Sequence, residues 1–288
     1  MNRLDPAWLN AQYDNRARFP SYALVLDRWA RASATACEGL SRRLDVAYGD
    51  GPNETLDIFP APHADAPVMV FIHGGWWRAL DKRQHAFVAP SFVDAGAMVV
   101  VPNHALCPAV TIEQIVMQLV KALAWVYRHA ALYGGDTRRI VVVGHSAGGH
   151  LASMLLSCRW QAVARDLPPD LVRAALSISG LFDLEPVRQT PFLQADLKLT
   201  AASARKLSPV HFPPPAGPLF SVVGGLESEE HQRQSQLPRE VWGPRAVPVC
   251  EVLPGVDHYD VMHELVDPGC HLHGWALELL GLSQPESR

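Results

Sequence analysis

The residues best suited to chemistry in this 288-residue chain are a serine, a histidine and a carboxylate lying far apart: Ser146, His258 and Glu227. Ser146 stands in Gly144-His145-Ser146-Ala147-Gly148, and Val141-Val142-Val143 runs directly into it. Three β-branched residues in a row suit a strand buried on both faces. Leu151, Ala152, Met154 and Leu155 then recur at helical spacing. A strand, a turn of one or two residues and a helix raise a serine hydroxyl at the end of the strand, and small residues on either side let that turn close. The helix aims its amino end at the same place, where spare backbone N–H groups favour negative charge. The rival reading of Gly-x-Ser-x-Gly is a chance pattern in a glycine-containing loop, which the flanking strand and helix oppose.

A serine nucleophile needs a base, and the base needs an orienting acid. Where the serine sits on such an elbow, the acid and then the histidine follow it in the chain. Of the 13 histidines, His258 occupies the loop expected after the last strand, 247–253, in Pro254-Gly255-Val256-Asp257-His258-Tyr259-Asp260. The acid is expected after the strand at 219–223, in Gly224-Gly225-Leu226-Glu227-Ser228-Glu229-Glu230. Glu227 is the first carboxylate there. Glu229 and Glu230 are expected on the exposed first turn of the next helix, where negative charge suits its dipole. Asp183 is the rival orienter, and Asp257 is too near His258 in sequence. His145 and His150 flank the serine but have neither the chain order nor the reach of the base.

Acyl transfer also needs N–H donors for an oxyanion. Ala147 follows the serine and supplies one. Gly75 and Trp76, in His73-Gly74-Gly75-Trp76-Trp77 after the strand at 68–72, supply the others; the plain alternative is a Gly-Gly turn with core tryptophans. Trp76 and Trp77 are candidates to wall an aromatic substrate pocket, with one of them equally suited to the core. His104 lies beyond the carboxyl end of a strand, where ligands bind, and joins them as a candidate substrate contact against a structural reading. Cys107 and Cys158 read as packing residues.

The elements that must position these residues alternate. Strands are expected at 44–48 and 55–59, joined by a turn at 49–53, and at 68–72, 97–101, 140–143, 174–178, 219–223 and 247–253. Helices are expected at 4–14, 21–37 (with Ser21 as its N-cap), 111–133, from 228, and at 259–267 and 270–281. The first two lie over the sheet or over the mouth of the site. Residues 183–217, rich in proline, form a small excursion, part helix, above the sheet, and the tail 283–288 frays. This pattern predicts an α/β fold: a mostly parallel central sheet with helices on both faces and a small helical cap. Residues 1–288 read as one domain, with an N-terminal helical segment at 1–40.

Bulk properties narrow the function. With 48% hydrophobic residues the chain can bury a sizeable core, and with a net charge of −4 and no basic stripe it is not expected to bind nucleic acid. The opening residues do not form a secretory signal, and no run of 18 apolar residues suggests a membrane span. Five cysteines, odd in number and widely spaced, fit free thiols in a reduced cytoplasm and show no metal-ligand spacing. No metal or cofactor is expected, the partner is a small-molecule substrate, and a homodimer is left open.

Taken together, these motifs resemble the α/β-hydrolase superfamily, and within it the kynurenine formamidase (arylformamidase) group. The resemblance runs through Gln12-Tyr13-Asp14-Asn15-Arg16-Ala17-Arg18-Phe19-Pro20, Tyr48-Gly49, Leu56-Asp57-Ile58-Phe59, the His73-Gly74-Gly75-Trp76-Trp77 loop, Gly144 to His150, Val223-Gly224, His231-Gln232-Arg233-Gln234-Ser235 and Gly255-Val256-Asp257-His258-Tyr259-Asp260. It implies the α/β-hydrolase fold and an acyl-enzyme hydrolysis of an aryl formamide such as N-formylkynurenine, giving kynurenine and formate, a step of tryptophan catabolism. The group's acid is usually aspartate and falls here on Glu227. The His/Asp signature of an unrelated metal-dependent formamidase family is not apparent. The rivals are a broad short-chain carboxylesterase on aryl esters and a non-catalytic binding protein on the same scaffold. A histidine base also implies activity that falls in acid, near its ordinary value of about 6.5 unless the site moves it.

Overall fold

A computed structural model describes residues 5–282; the start of the expected 4–14 helix and the expected frayed tail at 283–288 lie outside them. Helix α1 (Pro6–Tyr13) starts where the Asp5 carboxylate accepts from the Trp8 N–H and a proline occupies the first turn. Two helices follow, α2 (Asn15–Arg18) and α3 (Tyr22–Gly39). Ser21 does precede α3, but its hydroxyl makes no capping hydrogen bond. Strands β1 (Arg43–Ala47) and β2 (Thr55–Phe59) pair antiparallel, as the hairpin reading requires. Next come β3 (Ala66–Ile72), α4 (Ala89–Asp94), β4 (Met98–Pro102), α5 (Ile112–His129), β5 (Gly135–His145), α6 (Ala147–Leu156), α7 (Trp160–Val163) and β6 (Ala174–Ile178). The six residues of α4 are too few to show a helical repeat, which is why the sequence pattern passes over it. A reciprocal capping box between Thr111 and Gln114 opens α5.

The excursion at 183–217 contains three short helices, α8 (Glu185–Gln189), α9 (Pro191–Leu197) and α10 (Ala201–Lys206). The chain closes with β7 (Leu219–Gly224), α11 (Glu229–Trp242), β8 (Val249–Leu253), α12 (Val261–Val266) and α13 (His271–Leu280).

The eight strands form one sheet in the order β1-β2-β4-β3-β5-β6-β7-β8. Pairings from β4 through β8 are parallel, and those of β1 with β2 and β2 with β4 are antiparallel. Successive side chains of a strand point to opposite faces, so each central strand feeds two cores. Val68, Val70, Ile72, Val100 and Val142 pack under α1, α5 and α6, whereas Met69, Phe71, Val99, Val101, Val141 and Val143 pack against α3, α4, α12 and α13. Burying each such side chain contributes about 1.5–3 kcal/mol. The parallel register brings the carboxyl ends of β3, β5, β7 and β8 to one edge of the sheet. Every candidate chemical group from the sequence lies on a loop leaving that edge, the side on which open α/β sheets bind ligands.

Candidate active site

The elbow is strained, and its small residues are obligatory. Ser146 sits between β5 and α6 at φ 57° and ψ −119°, a conformation costly for a residue with a side chain. Its backbone N–H donates to the Ile178 carbonyl across to β6 at 2.7 Å. A Cβ at position 144 would lie 2.1 Å from the Gly148 carbonyl oxygen, and one at 148 would lie 2.0 Å from that of Ile72. Neither position can carry a side chain without moving backbone.

Glu227 and His258 arrive from β7 and β8. Glu227 Oε2 lies 2.6 Å from His258 Nδ1, and both side chains are buried. The other carboxylate oxygen, Oε1, accepts from the Ser179 hydroxyl at 2.5 Å and from the Gly224 N–H at 2.9 Å. Burial pushes the Glu227 carboxyl up, against the pull of His231 and these two hydrogen bonds. Burial also pushes the His258 imidazole down, to about 4. The neutral ring with its proton on Nδ1, donated to Glu227, leaves Nε2 as a proton acceptor. The acid limb of activity is therefore expected below 6.5, because the ring is desolvated.

The rival acids are engaged elsewhere. Asp257 accepts from the Tyr259 and Asp260 N–H groups, and Asp183 faces Arg233 and accepts from the Glu185 N–H. Glu229 is exposed, as expected for the first turn of α11. Glu230 is not: it is buried, accepting from the Tyr13 hydroxyl at 2.9 Å and paired with Arg233. Its burial is tolerated because both oxygens are satisfied.

The loop after β3 is turned by three consecutive positive φ values, 97° at Gly75, 53° at Trp76 and 54° at Trp77. Gly75 is required, since a Cβ there would lie 2.2 Å from the Ala79 carbonyl oxygen. Among the described residues, no backbone carbonyl takes the N–H of Gly75, Trp76 or Ala147, so all three donors remain available.

Ser146, His258, Gly75 and Trp76 line one cavity of about 450 Å³, in the range of small-molecule sites. Trp29, Phe192 and Tyr259 give it aromatic walls, and Asp14, Asn15, Arg16 and Ala17 close it from the N-terminal segment. That segment therefore covers the mouth of the site. Two sequence candidates do not reach the cavity. Trp77 is wholly buried and packs edge-on against His150 at 5.1 Å between ring centroids. His104 is buried and stacks on His73 at 4.4 Å. Trp76 meets the cavity while Trp77 enters the core.

Three residues at the site, Ser179, His231 and Asn15, have no role in the sequence reading, and His145 is read there only as a flank of the serine. The Ser179 hydroxyl donates to Glu227. His145 meets the His258 carbonyl oxygen through its Nε2 at 2.8 Å and lies ring to ring with it at 4.8 Å. His231 packs on His258 at 5.1 Å between centroids, and Asn15 meets His231. Glu227, His231 and His258 each present one ligand-capable atom within 4.8 Å of the others. Glu227 and His258 share a hydrogen bond, and the two ring nitrogens of His231 face Asn15 Nδ2 and Ser228 Oγ. Hydrogen bonding thus accounts for the grouping.

Comparison with known proteins agrees with this geometry. Residues 56–191 match the family described as BD-FAE. The chain is 29% identical to the kynurenine formamidase of Salmo salar over 250 residues, 83% of this chain and 82% of that one. It is 35% identical to esterase LipQ of Mycobacterium tuberculosis over 149 residues, 49% of this chain and 35% of that one. A crystal structure from Silicibacter sp. tm1040, provisionally described as a thioesterase, aligns with a TM-score of 0.81 at 28% identity, covering 95% of this chain and 98% of that one. The chain has the α/β-hydrolase fold and is an enzyme of the serine-hydrolase kind. Within that class it is similar to the kynurenine formamidases. Among the described residues no helix is long and apolar enough to cross a membrane.

Proposed function

We propose that this hydrolase deformylates an aryl formamide, with N-formylkynurenine as the substrate and kynurenine and formate as products. The observation that carries the reading is the 2.6 Å contact between Glu227 and His258, on a cavity that also holds Ser146 and is walled by aromatic rings. His258 Nε2 takes the Ser146 proton as Oγ attacks the formyl carbon. The N–H groups of Gly75, Trp76 and Ala147 hold the resulting oxyanion, each donor lowering the barrier by about 2.7–4 kcal/mol. His258 passes its proton to the nitrogen as the C–N bond breaks, and the amine leaves. Water then adds to the formyl-enzyme, its proton moving through His258 to Ser146 as formate departs. Glu227 stabilises the imidazolium in both steps.

The relative named kynurenine formamidase, aligned over 83% of the chain, supports this substrate. A short-chain carboxylesterase would use the same residues, and the match to esterase LipQ over 49% of the chain favours that second reading. The two are separated by catalytic efficiency on N-formylkynurenine against 4-nitrophenyl acetate. Efficient deformylation is expected; a preference for the ester by orders of magnitude, with negligible deformylation, would overturn the formamide reading. The same reading takes residues 1–288 as one domain acting in the cytoplasm on small molecules without a cofactor, as a monomer or homodimer.

A further inference from the structure

The cavity that holds Ser146 and His258 is aromatic, yet Asp14, Arg16 and Arg78 also line it. Arg78 is engaged within the protein. Its guanidinium pairs with Asp196, donates to the Phe192 carbonyl at 3.0 Å and lies 5.4 Å over the Phe192 ring. Arg16 is different. Its guanidinium carbon lies 5.3 Å over the Tyr22 ring, and among the described residues the group has no ion pair and no hydrogen-bond acceptor. Asp14 accepts from the Ala17 N–H at 3.0 Å, and among the described residues its carboxylate meets no cation. Asp14 is the N-cap of α2 and Arg16 follows two residues on, a spacing at which side chains do not face each other. The two charges therefore line one cavity without neutralising each other.

Tyr259 relates these charges to the chemistry. Its ring lines the cavity, 5.4 Å from the His258 ring and 6.3 Å from that of Tyr22. The Arg16 guanidinium thus stands two aromatic rings from the base. Burial raises the Tyr259 phenol to about 12, while Arg16 pulls it down and Asp14 pushes it up, so both charges act on the residue next to His258. Stacking on Tyr22 orients the guanidinium and leaves its N–H donors unused. That flat fork of donors matches a carboxylate. The segment is also held in place: Tyr13 donates to Glu230 at 2.9 Å and Asn15 meets His231, so the residues on either side of Asp14 are tied to α11.

We propose that Arg16 takes the carboxylate, and Asp14 the ammonium, of an α-amino-acid group on the leaving side of the substrate, so that the enzyme selects amino-acid aryl formamides over plain ones. This deepens the formamide reading above and rests on it. N-formylkynurenine has the required shape, with an α-amino acid at the end of a short chain ortho to the formamide. The ring lies against the aromatic walls while the charged end reaches the N-terminal segment. No bond to that end changes during deformylation, so its contacts are the same in the bound substrate and the transition state. Such uniform binding is read in KM rather than kcat. Arg16 and Asp14 are specificity-determining contacts, and neither acts on the reacting atoms.

The experiment removes each partner in turn. Substrates are N-formylkynurenine, its analogue with hydrogen in place of the carboxylate, and formanilide; enzymes are the parent and Arg16→Met, which keeps an apolar stem and removes the charge. In the parent, loss of the substrate carboxylate is expected to lower kcat/KM by about 10- to 100-fold, mostly through KM. In Arg16→Met that penalty should shrink to about threefold or less, with formanilide cleaved within about threefold of the parent rate. An undiminished penalty in the folded variant overturns the contact, as does a parent indifferent to the carboxylate. Arg16→Gln is read in the same way if Arg16→Met does not fold. Asp14→Asn keeps an acceptor for the Ala17 N–H, and should lower kcat/KM for N-formylkynurenine several-fold while sparing formanilide; equal losses on both remove Asp14 from the proposal. A parent that cleaves all three formamides alike leaves the formamide reading standing and ends only this inference. A parent that cleaves none of them ends both.

Discussion

The two halves of the site are built differently. The chemical half hangs from strand ends: Ser146, Glu227, His258 and the Gly75–Trp76 loop each follow a buried strand by a few residues. The recognition half comes from the other end of the chain. Tyr13 reaches Glu230 across 217 residues of sequence, and Asn15 reaches His231 across 216. The sheet sets the chemical half by rigid register, while a handful of side-chain hydrogen bonds to α11 set the recognition half. Reactivity should therefore be insensitive to changes in the N-terminal segment, and selectivity should be sensitive to them.

The comparison breaks most visibly on the strand side. Ser146→Ala is expected to lower kcat/KM by roughly 10⁴-fold or more, with a melting temperature near or above that of the parent, because the strained serine carries no packing load. A large activity remnant would contradict its role. Glu227→Gln should keep the fold and lower kcat by roughly 10³- to 10⁴-fold, since an amide can present its NH₂ to His258 Nδ1 and favour the wrong tautomer. An effect under tenfold in a steady-state assay would remove Glu227 from the orienting role.

A third expectation concerns acid. Seven buried histidines, His73, His85, His104, His145, His150, His231 and His258, are all held below their ordinary value, chiefly by desolvation. The unfolded chain takes protons near 6.5 and the folded chain resists them, so stability is full above that pH. It is lost as pH falls from about 6.5 toward 4, each histidine contributing up to about 1.4 kcal/mol per pH unit within its own window. Thermal melts across pH 4–8 should show a steep decline below 6.5, and a flat profile would contradict the burial of these rings. Before unfolding intervenes, kcat/KM should hold well below pH 6.5, because His258 itself is lowered to about 4. An activity midpoint at or above 6.5 would show that the base is not desolvated.

The smallest effect falls on the N-terminal side. Tyr13→Phe removes a hydroxyl that serves both Glu230 and Gln234. A loss of about 1–3 kcal/mol of stability is expected in denaturant melts. KM for the formamide should rise more than kcat falls, since the segment that carries Arg16 loosens while Ser146 does not. An equal fall in the rate of fluorophosphonate labelling would blur the proposed division.

What the sequence made legible follows the same division. The elbow, the His73–Trp77 loop and the His258 loop are contiguous, and each carries its strand beside it, so residue type and spacing suffice. Glu227 is separable from Asp183 by the strand it follows, β7 rather than β6, and from Asp257 by that residue's closeness to His258 in the chain. Trp77 and His104 lie away from the cavity, and neither residue type nor spacing reports which side of a loop a side chain takes. Glu230 reads as solvated because Arg233, its i+3 partner on α11, is compatible with an exposed face, and the Tyr13 hydroxyl that buries it is visible only once α1 docks on α11. Asn15, Ser179 and His231 carry no local signal. Asn15 and His231 lie in stretches that resemble the kynurenine formamidases, which marks the regions but not the roles.

The assignment of the nucleophile is tested most directly by reacting the protein with a fluorophosphonate and mapping the adduct by peptide mass spectrometry. One adduct per chain on Ser146, with activity lost in proportion, is the expected result. An unlabelled protein would point to a binding role on a hydrolase scaffold, and a label on another residue with hydrolysis undiminished would contradict Ser146 as the nucleophile.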